Sequence, residues 1–149
     1  MASQQFCTFW VDGNLFGVPV PQVQEVIRFQ QITPVPLAPA VVEGMINLRG
    51  EIALAIDLRR RLVLGGRADS DVPMNVVVRA TEGAISLLVD EIGDVIEVDP
   101  STFEAPPGTV PDNLRSMILG VHKMDGRLLH VLDTEKVCHV GELSTAASA

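Results

Sequence analysis

Apolar positions along the chain fall into short runs, most of them closed by a glycine-bearing turn. The most regular pair is Met45–Leu48 and Ile52–Ile56, set on either side of Arg49-Gly50-Glu51. Runs of that length around a tight turn predict a β-hairpin. The second run has almost no polar interruption, which predicts a strand buried on both faces, although pattern alone does not separate it from a buried helical segment. Asp57 follows where a helix N-cap would stand, its carboxylate able to accept from free backbone N–H groups. Leu58–Leu64 then gives about two helical turns, with Gly65-Gly66 as a left-handed stop. Arg49 is the exception to the pattern, a lone cation at the tip of an apolar hairpin.

The flanking segments repeat this vocabulary. Phe6–Val11 and Leu15–Val20 predict a hairpin about Asp12-Gly13-Asn14, ended by Pro19 and Pro21, which cannot donate to a sheet ladder. Val23, Val26 and Ile27 stand at helical spacing but equally suit a turn feeding a strand. Thr33–Pro39 reads as a loop and Ala40–Glu43 as one helical turn. After a polar connection, Arg67–Asp71, a hairpin is expected from Met74–Arg79 and Ala84–Val89 across Thr81-Glu82-Gly83. Val95–Val98 is a further short strand, and the prolines at 106, 107 and 111 mark a loop. Met117–His122 and Arg127–Leu132 make a last hairpin turned by Met124-Asp125-Gly126. Thr134–Val140 is a short helix capped by Asp133, and Ser144–Ala149 a frayed tail.

The two halves echo each other. Gly44, Gly50, Ile52, Ile56 and Asp57 find Gly120, Gly126, Leu128, Leu132 and Asp133 at a constant offset of 76 residues. Val20, Val23, Val26 and Ile27 find Val89, Ile92, Val95 and Ile96 at an offset of 69. The pattern predicts a mainly β chain of two homologous, curled antiparallel sheets of about five strands each, short enough to favour barrels. Arg49 has Asp125 at its equivalent place, so the second hairpin does not repeat whatever Arg49 does.

Composition narrows the function. A formal charge of −8 argues against nucleic acid as a partner, since phosphate contacts need a basic face. Cys7 and Cys138 are isolated thiols, which suggests neither a disulfide framework nor a zinc site and fits a reducing cytoplasm. No run approaches the roughly 18 apolar residues of a membrane span, and no secretory signal pattern opens the chain. His122, His130 and His139 lack metal-ligand spacing. His139 and Cys138 point about 100° apart on a helix and so would not converge as a nucleophile pair. Asp57 and Asp90 read as cap and turn carboxylates before they read as an acid–base pair. Arg59-Arg60-Arg61 reads as a solvated helix face, with a patch for acidic protein as the alternative. Neither a metal nor a cofactor is implied, no catalytic constellation stands out, and binding is the default.

Several stretches together carry a resemblance. Phe16-Gly17-Val18-Pro19-Val20, Val23-Gln24-Glu25-Val26, Gly44–Gly50, Ile56-Asp57-Leu58-Arg59 and Leu88-Val89-Asp90 resemble, in order and spacing, the CheW family of bacterial chemotaxis coupling proteins. The resemblance runs from about Gln5 to Val140. It implies a single domain over 5–140 made of two five-stranded SH3-like barrels, with 141–149 as a disordered tail. It implies a non-enzymatic adaptor in the cytoplasm, recruited to membrane chemoreceptor arrays without inserting in the bilayer. The implied partners are the helical hairpin tip of methyl-accepting chemoreceptors, the regulatory domain of the histidine kinase CheA, and other copies of the adaptor. Carried over by position, receptor contacts fall on Val23, Glu25, Gly44, Arg49, Ile92 and Val95. The kinase-facing surface falls around Ala53, Ala55, Leu58 and Arg59. The chain departs from the family in having Leu54 where proline is usual, which leaves an extra N–H donor on that strand.

Two other readings stand beside the chemotaxis adaptor: a paralogue serving pilus motility or another chemosensory pathway, and a generic SH3-like peptide-binding module. The peptide module needs an aromatic groove, which one Trp, five Phe and no Tyr furnish poorly. A small enzyme is a third reading, disfavoured by the missing constellation.

Overall fold

The computed structural model describes residues 3–28, 30–64, 72–81 and 83–139. Each expected hairpin forms. β1 (Gln4–Val11) and β2 (Asn14–Pro19) pair antiparallel, as do β4 (Val42–Leu48) and β5 (Glu51–Asp57). β6 (Met74–Ala80) pairs β7 (Gly83–Val89), and β10 (Ile118–Met124) pairs β11 (Arg127–Leu132) in the same way. Between them run β3 (Val23–Ile27), β8 (Glu91–Val98) and the two-residue β9 (Phe103–Glu104). The helices are single turns: α1 (Leu58–Arg61), α2 (Asp112–Arg115) and α3 (Thr134–Cys138).

These strands make two sheets. One has the order β3-β6-β7-β5-β4, the other β8-β1-β2-β11-β10-β9. Each contains one parallel pair, β5 with β7 and β11 with β2, so the expectation of purely antiparallel sheets is refined at one position in each. The orders superimpose element for element once β3 is matched with β8, β6 with β1, β7 with β2, β5 with β11 and β4 with β10. Even the sixth strand has a counterpart, because Thr33 makes an isolated bridge to Met45 where Glu104 pairs Val121.

The sequence repeat and the sheets are not divided alike. In sequence, β1-β2-β3-β4-β5-α1 corresponds to β6-β7-β8-β10-β11-α3. In space, the β1–β2 hairpin of the first half joins the second half's sheet, and β6–β7 joins the first half's sheet. The halves thus exchange hairpins, and neither sheet is assembled from one half alone.

Packing follows from that exchange. The largest apolar cluster takes Phe9, Phe16 and Val18 from one sheet and Ile56, Val76 and Leu87 from the other, all fully or almost fully buried. Each sheet also has a private cluster: Ile46, Leu48, Ala53, Ala55, Val77 and Leu88 in one, Phe6, Leu15, Leu129 and Val131 in the other. With β-branched and aliphatic residues on both faces of thin sheets, the shared cluster joins the two sheets across a single core.

Several local expectations are corrected. Ala40–Glu43 is a turn that becomes strand from Val42, because Val42 pairs Ile56. Val23–Ile27 takes the strand option, preceded by a 3-10 turn over Val20–Gln22. Ile52 is 55% exposed, so β5 is not buried on both faces along its length. The helix after Asp57 closes at Arg61, one turn shorter than expected, and α2 and β9 had no strong pattern to announce them. The Gly65-Gly66 stop, the Arg67–Asp71 connection and the tail over 141–149 lie outside the described residues.

Candidate functional site

The site is built around the β4–β5 tip. Leu48 pairs Glu51, leaving Arg49-Gly50 as a two-residue turn, with φ +55° at Arg49 and +91° at Gly50. Two positive φ values in succession match the twist of the flanking strands but favour Asn, Asp or Gly in both places. An arginine held left-handed costs roughly 1–2 kcal/mol. The turn is fixed from within: Gly50 N donates to Asn47 Oδ1 at 2.8 Å. The Arg49 side chain is 82% exposed, and its Nη2 donates to Glu25 Oε1 at 2.7 Å. Its other N–H groups have no partner among the described residues.

That ion pair spans the two edges of one sheet. Glu25 lies on β3 and Arg49 at the tip beyond β4, at opposite ends of the strand order. Beside it, Gln24 Nε2 donates to Glu51 Oε1 at 2.9 Å. Together the two contacts tie β3 to the β4–β5 tip on the solvent side of the sheet. An exposed pair of this kind contributes about 0–1 kcal/mol, so fold stability does not explain the strained arginine.

The remaining expected receptor residues divide by burial. Val23 on β3 and Ile92 on β8 are half-buried and pack against the shared core from opposite sheets. They form a floor more than a freely exposed surface. Val95 is 58% exposed on the edge strand β8. Gly44 is buried at a bulge between β4 and β5, where an added Cβ would collide with the Thr33 carbonyl and the Ile32 side chain. Gly44 therefore shapes the strand and has no side chain to offer a partner.

The expected kinase-facing set is corrected. Ala53, Ala55 and Leu58 are 0% exposed, so none presents a surface. Ala53 and Ala55 are small because β5 is central, flanked by β4 and β7, and their face fills the private cluster. The outward residues nearby are Met45 and Ile52, 37% and 55% exposed.

Arg59 is also turned inward. Its Nε and Nη2 grip Asp90 Oδ1 and Oδ2 at 2.9 and 2.6 Å, and Nη1 reaches Asp12 Oδ1 at 3.5 Å. The hydrogen bonds it donates to Asp90 hold the guanidinium still more firmly protonated than usual. The other two arginines of the run are occupied as well. Arg60 pairs Glu43 at 2.8 Å and Arg61 donates to the Lys136, Val137 and His139 carbonyls that end α3. The run Arg59-Arg60-Arg61 thus joins elements together and is not a solvated patch. Asp57 caps α1 by accepting from Arg59 N, and Asp133 caps α3 by accepting from Lys136 N.

Elsewhere, chemistry is muted. Burial pushes the Cys138 thiol up to about 12, which leaves it inert at neutral pH. His122 is 1% exposed between Phe6 and Phe103, with Nδ1 2.8 Å from Thr102 Oγ1, and burial lowers its pKa. Among the described residues, no three His, Cys, Asp or Glu side chains are grouped to hold a metal, and no helix is long and apolar enough to cross a membrane. Two adjoining concavities of about 390 and 270 Å³ in the other sheet share Trp10, Leu15 and Arg127, whose guanidinium lies 5.4 Å over the Trp10 ring.

The CheW-like domain model matches residues 5–142. The chain is 30% identical to the chemotaxis protein CheW of Treponema pallidum over 97% of this chain and 87% of that one. It is 31% identical to the chemotaxis protein CheW of Bacillus subtilis over 90% and 86% of the two chains. Among solved structures, the scaffolding protein TtCheW from Thermoanaerobacter tengcongensis superposes with a TM-score of 0.84 at 28% identity, covering 94% of this chain and 95% of that one. A match of that extent, on a fold of two hairpin-exchanged sheets, establishes that the chain belongs to the CheW-like domain family.

Proposed function

We propose that the protein is a chemotaxis adaptor that couples chemoreceptors to the histidine kinase CheA without catalysing a reaction. The observation that carries this reading is the end-to-end likeness to chemotaxis scaffolding proteins, in sequence and in fold. Arg49 supplies the geometric support: a planar, five-donor cation is kept exposed on a turn whose backbone disfavours it. The receptor's helical hairpin tip engages Arg49, Glu25 and Val95, over the half-buried floor of Val23 and Ile92. Gly44 acts by holding the β4 bulge. The kinase regulatory domain engages the outward face of β4–β5 at Met45 and Ile52, while Ala53, Ala55 and Leu58 support that face from beneath. Arg59 serves the join between sheets. Further copies of the adaptor use the same surfaces, and the protein acts at the cytoplasmic face of receptor arrays.

The test is co-sedimentation of the purified chain with receptor-bearing membranes, with and without the kinase. Kinase recovered in the pellet only when the chain is present supports the adaptor. A chain that stays in the supernatant with both partners contradicts it.

A further inference from the structure

The single-turn helices α1 and α3 occupy equivalent ground, each stitching its own sheet to the hairpin that its own half has given to the other sheet. Arg59, the second residue of α1, reaches Asp12 in the β1–β2 turn and Asp90 at the β7–β8 connection. Glu135, the second residue of α3, accepts at 2.6 Å from Thr81 Oγ1 in the β6–β7 turn. Thr134 Oγ1 donates at 2.8 Å to Gln22 Oε1, next to the start of β3. Asp12 and Thr81 correspond in the repeat, as do Arg59 and Glu135.

The two stitches differ in chemistry. At α3 the stitches made by Thr134 and Glu135 are hydrogen bonds to neutral groups, and Arg61 of α1 meets only the carbonyls at its end, with no carboxylate among the described residues. At α1 a guanidinium fork meets both oxygens of one carboxylate, with side chains only 14% and 20% exposed. The same carboxylate accepts from Asp12 N at 2.7 Å, and Asp90 N donates to the Trp10 carbonyl at 3.0 Å. Asp90 is thereby fixed to α1 of one sheet and to the β1–β2 hairpin of the other, immediately before β8 begins. A bidentate pair fixes direction as well as distance, which a single hydrogen bond does not.

We infer that Arg59 and Asp90 are positioning residues that set the angle between the two sheets, and with it the placement of β8 relative to the Arg49 tip. The consequence for signalling rests on the adaptor role proposed above; the inter-sheet angle does not.

The experiment uses the full chain with Cys7→Ser and Cys138→Ala, spin-labelled at Arg79→Cys on one sheet and Leu119→Cys on the other, both exposed positions. Arg59→Lys, which keeps the charge and loses the fork, and Asp90→Asn are expected to broaden the electron–electron distance distribution about two-fold, a loosened but folded junction. Glu135→Gln is expected to leave it narrow. So is Ile118→Val, which lowers stability in the core without touching the network. Should Asp90→Asn fail to fold, Arg59→Lys carries the test. An unchanged distribution in folded Arg59→Lys, or equal broadening in Ile118→Val, overturns the assignment. In the same variants, receptor hairpin and kinase domain are each expected to bind alone within about three-fold of the parent, while kinase stimulation in the ternary mixture falls about ten-fold. Broadening with normal stimulation overturns the positioning role in signalling. A parent that binds neither partner overturns the adaptor reading, and the inter-sheet result still decides whether the angle is set by this pair.

Discussion

In the β4–β5 hairpin, Gly44 lies against the Thr33 carbonyl at a bulge and the strands close on Arg49-Gly50. In the β10–β11 hairpin, Gly120 lies against Phe103 and the Glu104 carbonyl at an equivalent bulge, and the strands close on Asp125-Gly126. Both hairpins pass into a helical turn capped by an aspartate. Everything that folds the hairpin is thus present twice. The tip differs: only Gly126 has a positive φ in the second turn, whereas the first places an arginine in that region as well. Since the second tip closes without a cation or a strained side chain, Arg49 is not there to close the first. The comparison separates residues that the fold of the hairpin requires from one that the turn does not require.

The largest effect is expected where both hairpins agree. Gly44→Ala drives a Cβ into backbone at Thr33, and Gly120→Ala into backbone at Glu104 and the tip of the Phe103 ring. Overpacking of this kind costs about 1–3 kcal/mol. Gly44→Ala is expected at the upper end, because its neighbours include two backbone atoms of Thr33, and Gly120→Ala lower, because the half-exposed Phe103 ring can yield. Urea midpoints for the two variants check both the size and the order. Negligible losses in both variants would show that neither bulge requires its glycine.

A smaller effect sharpens a difference between the sheets. Ile46 and His122 correspond in the repeat and are each 1% exposed. Burial lowers the folded-state pKa of His122, so the unfolded chain binds the proton more readily. The stability this site contributes is complete above the unfolded value of about 6.5 and declines as pH falls through it. Melting temperature is therefore expected to drop between about pH 7.5 and 5.5. His122→Ile, which gives the second sheet the residue of the first, is expected to flatten that slope. A slope that survives the substitution assigns it to other groups.

Much of this contrast was legible in the chain itself. The 69- and 76-residue offsets align bulges, turns and helix caps, because turn glycines and cap aspartates are set by local backbone needs. Arg49 stood out for the same reason, as a residue its turn does not want. The hairpin exchange was not legible: β1–β2 and β6–β7 have equivalent patterns, and nothing local says which sheet each completes. Nor was the Arg59–Asp90 pair, whose partners are 31 residues apart in sequence and meet only through the exchange. Ala53 and Ala55 were placed at a contact surface by the resemblance, whereas the apolar pattern of their strand already pointed to burial. They are small where a central strand leaves little room; the outward Ile52 precedes them on β5, and the outward Met45 pairs Leu54 from β4. Gly44 was singled out for a partner when its close approach to Thr33 is reason enough for glycine.

The central claim is that Arg49 is held in a costly conformation for a partner, and Arg49→Asn tests it directly. Asparagine tolerates the left-handed turn, so relief of strain offsets the lost pair with Glu25. The stability change is expected to lie between zero and a gain of about 1 kcal/mol. Thermal melting and co-sedimentation with receptor-bearing membranes and kinase, run on one preparation, give both readings at once. The expected result is an unchanged or raised melting temperature together with loss of the kinase from the pellet. A lowered melting temperature with full recruitment would contradict the account, because it would make Arg49 a residue of the fold.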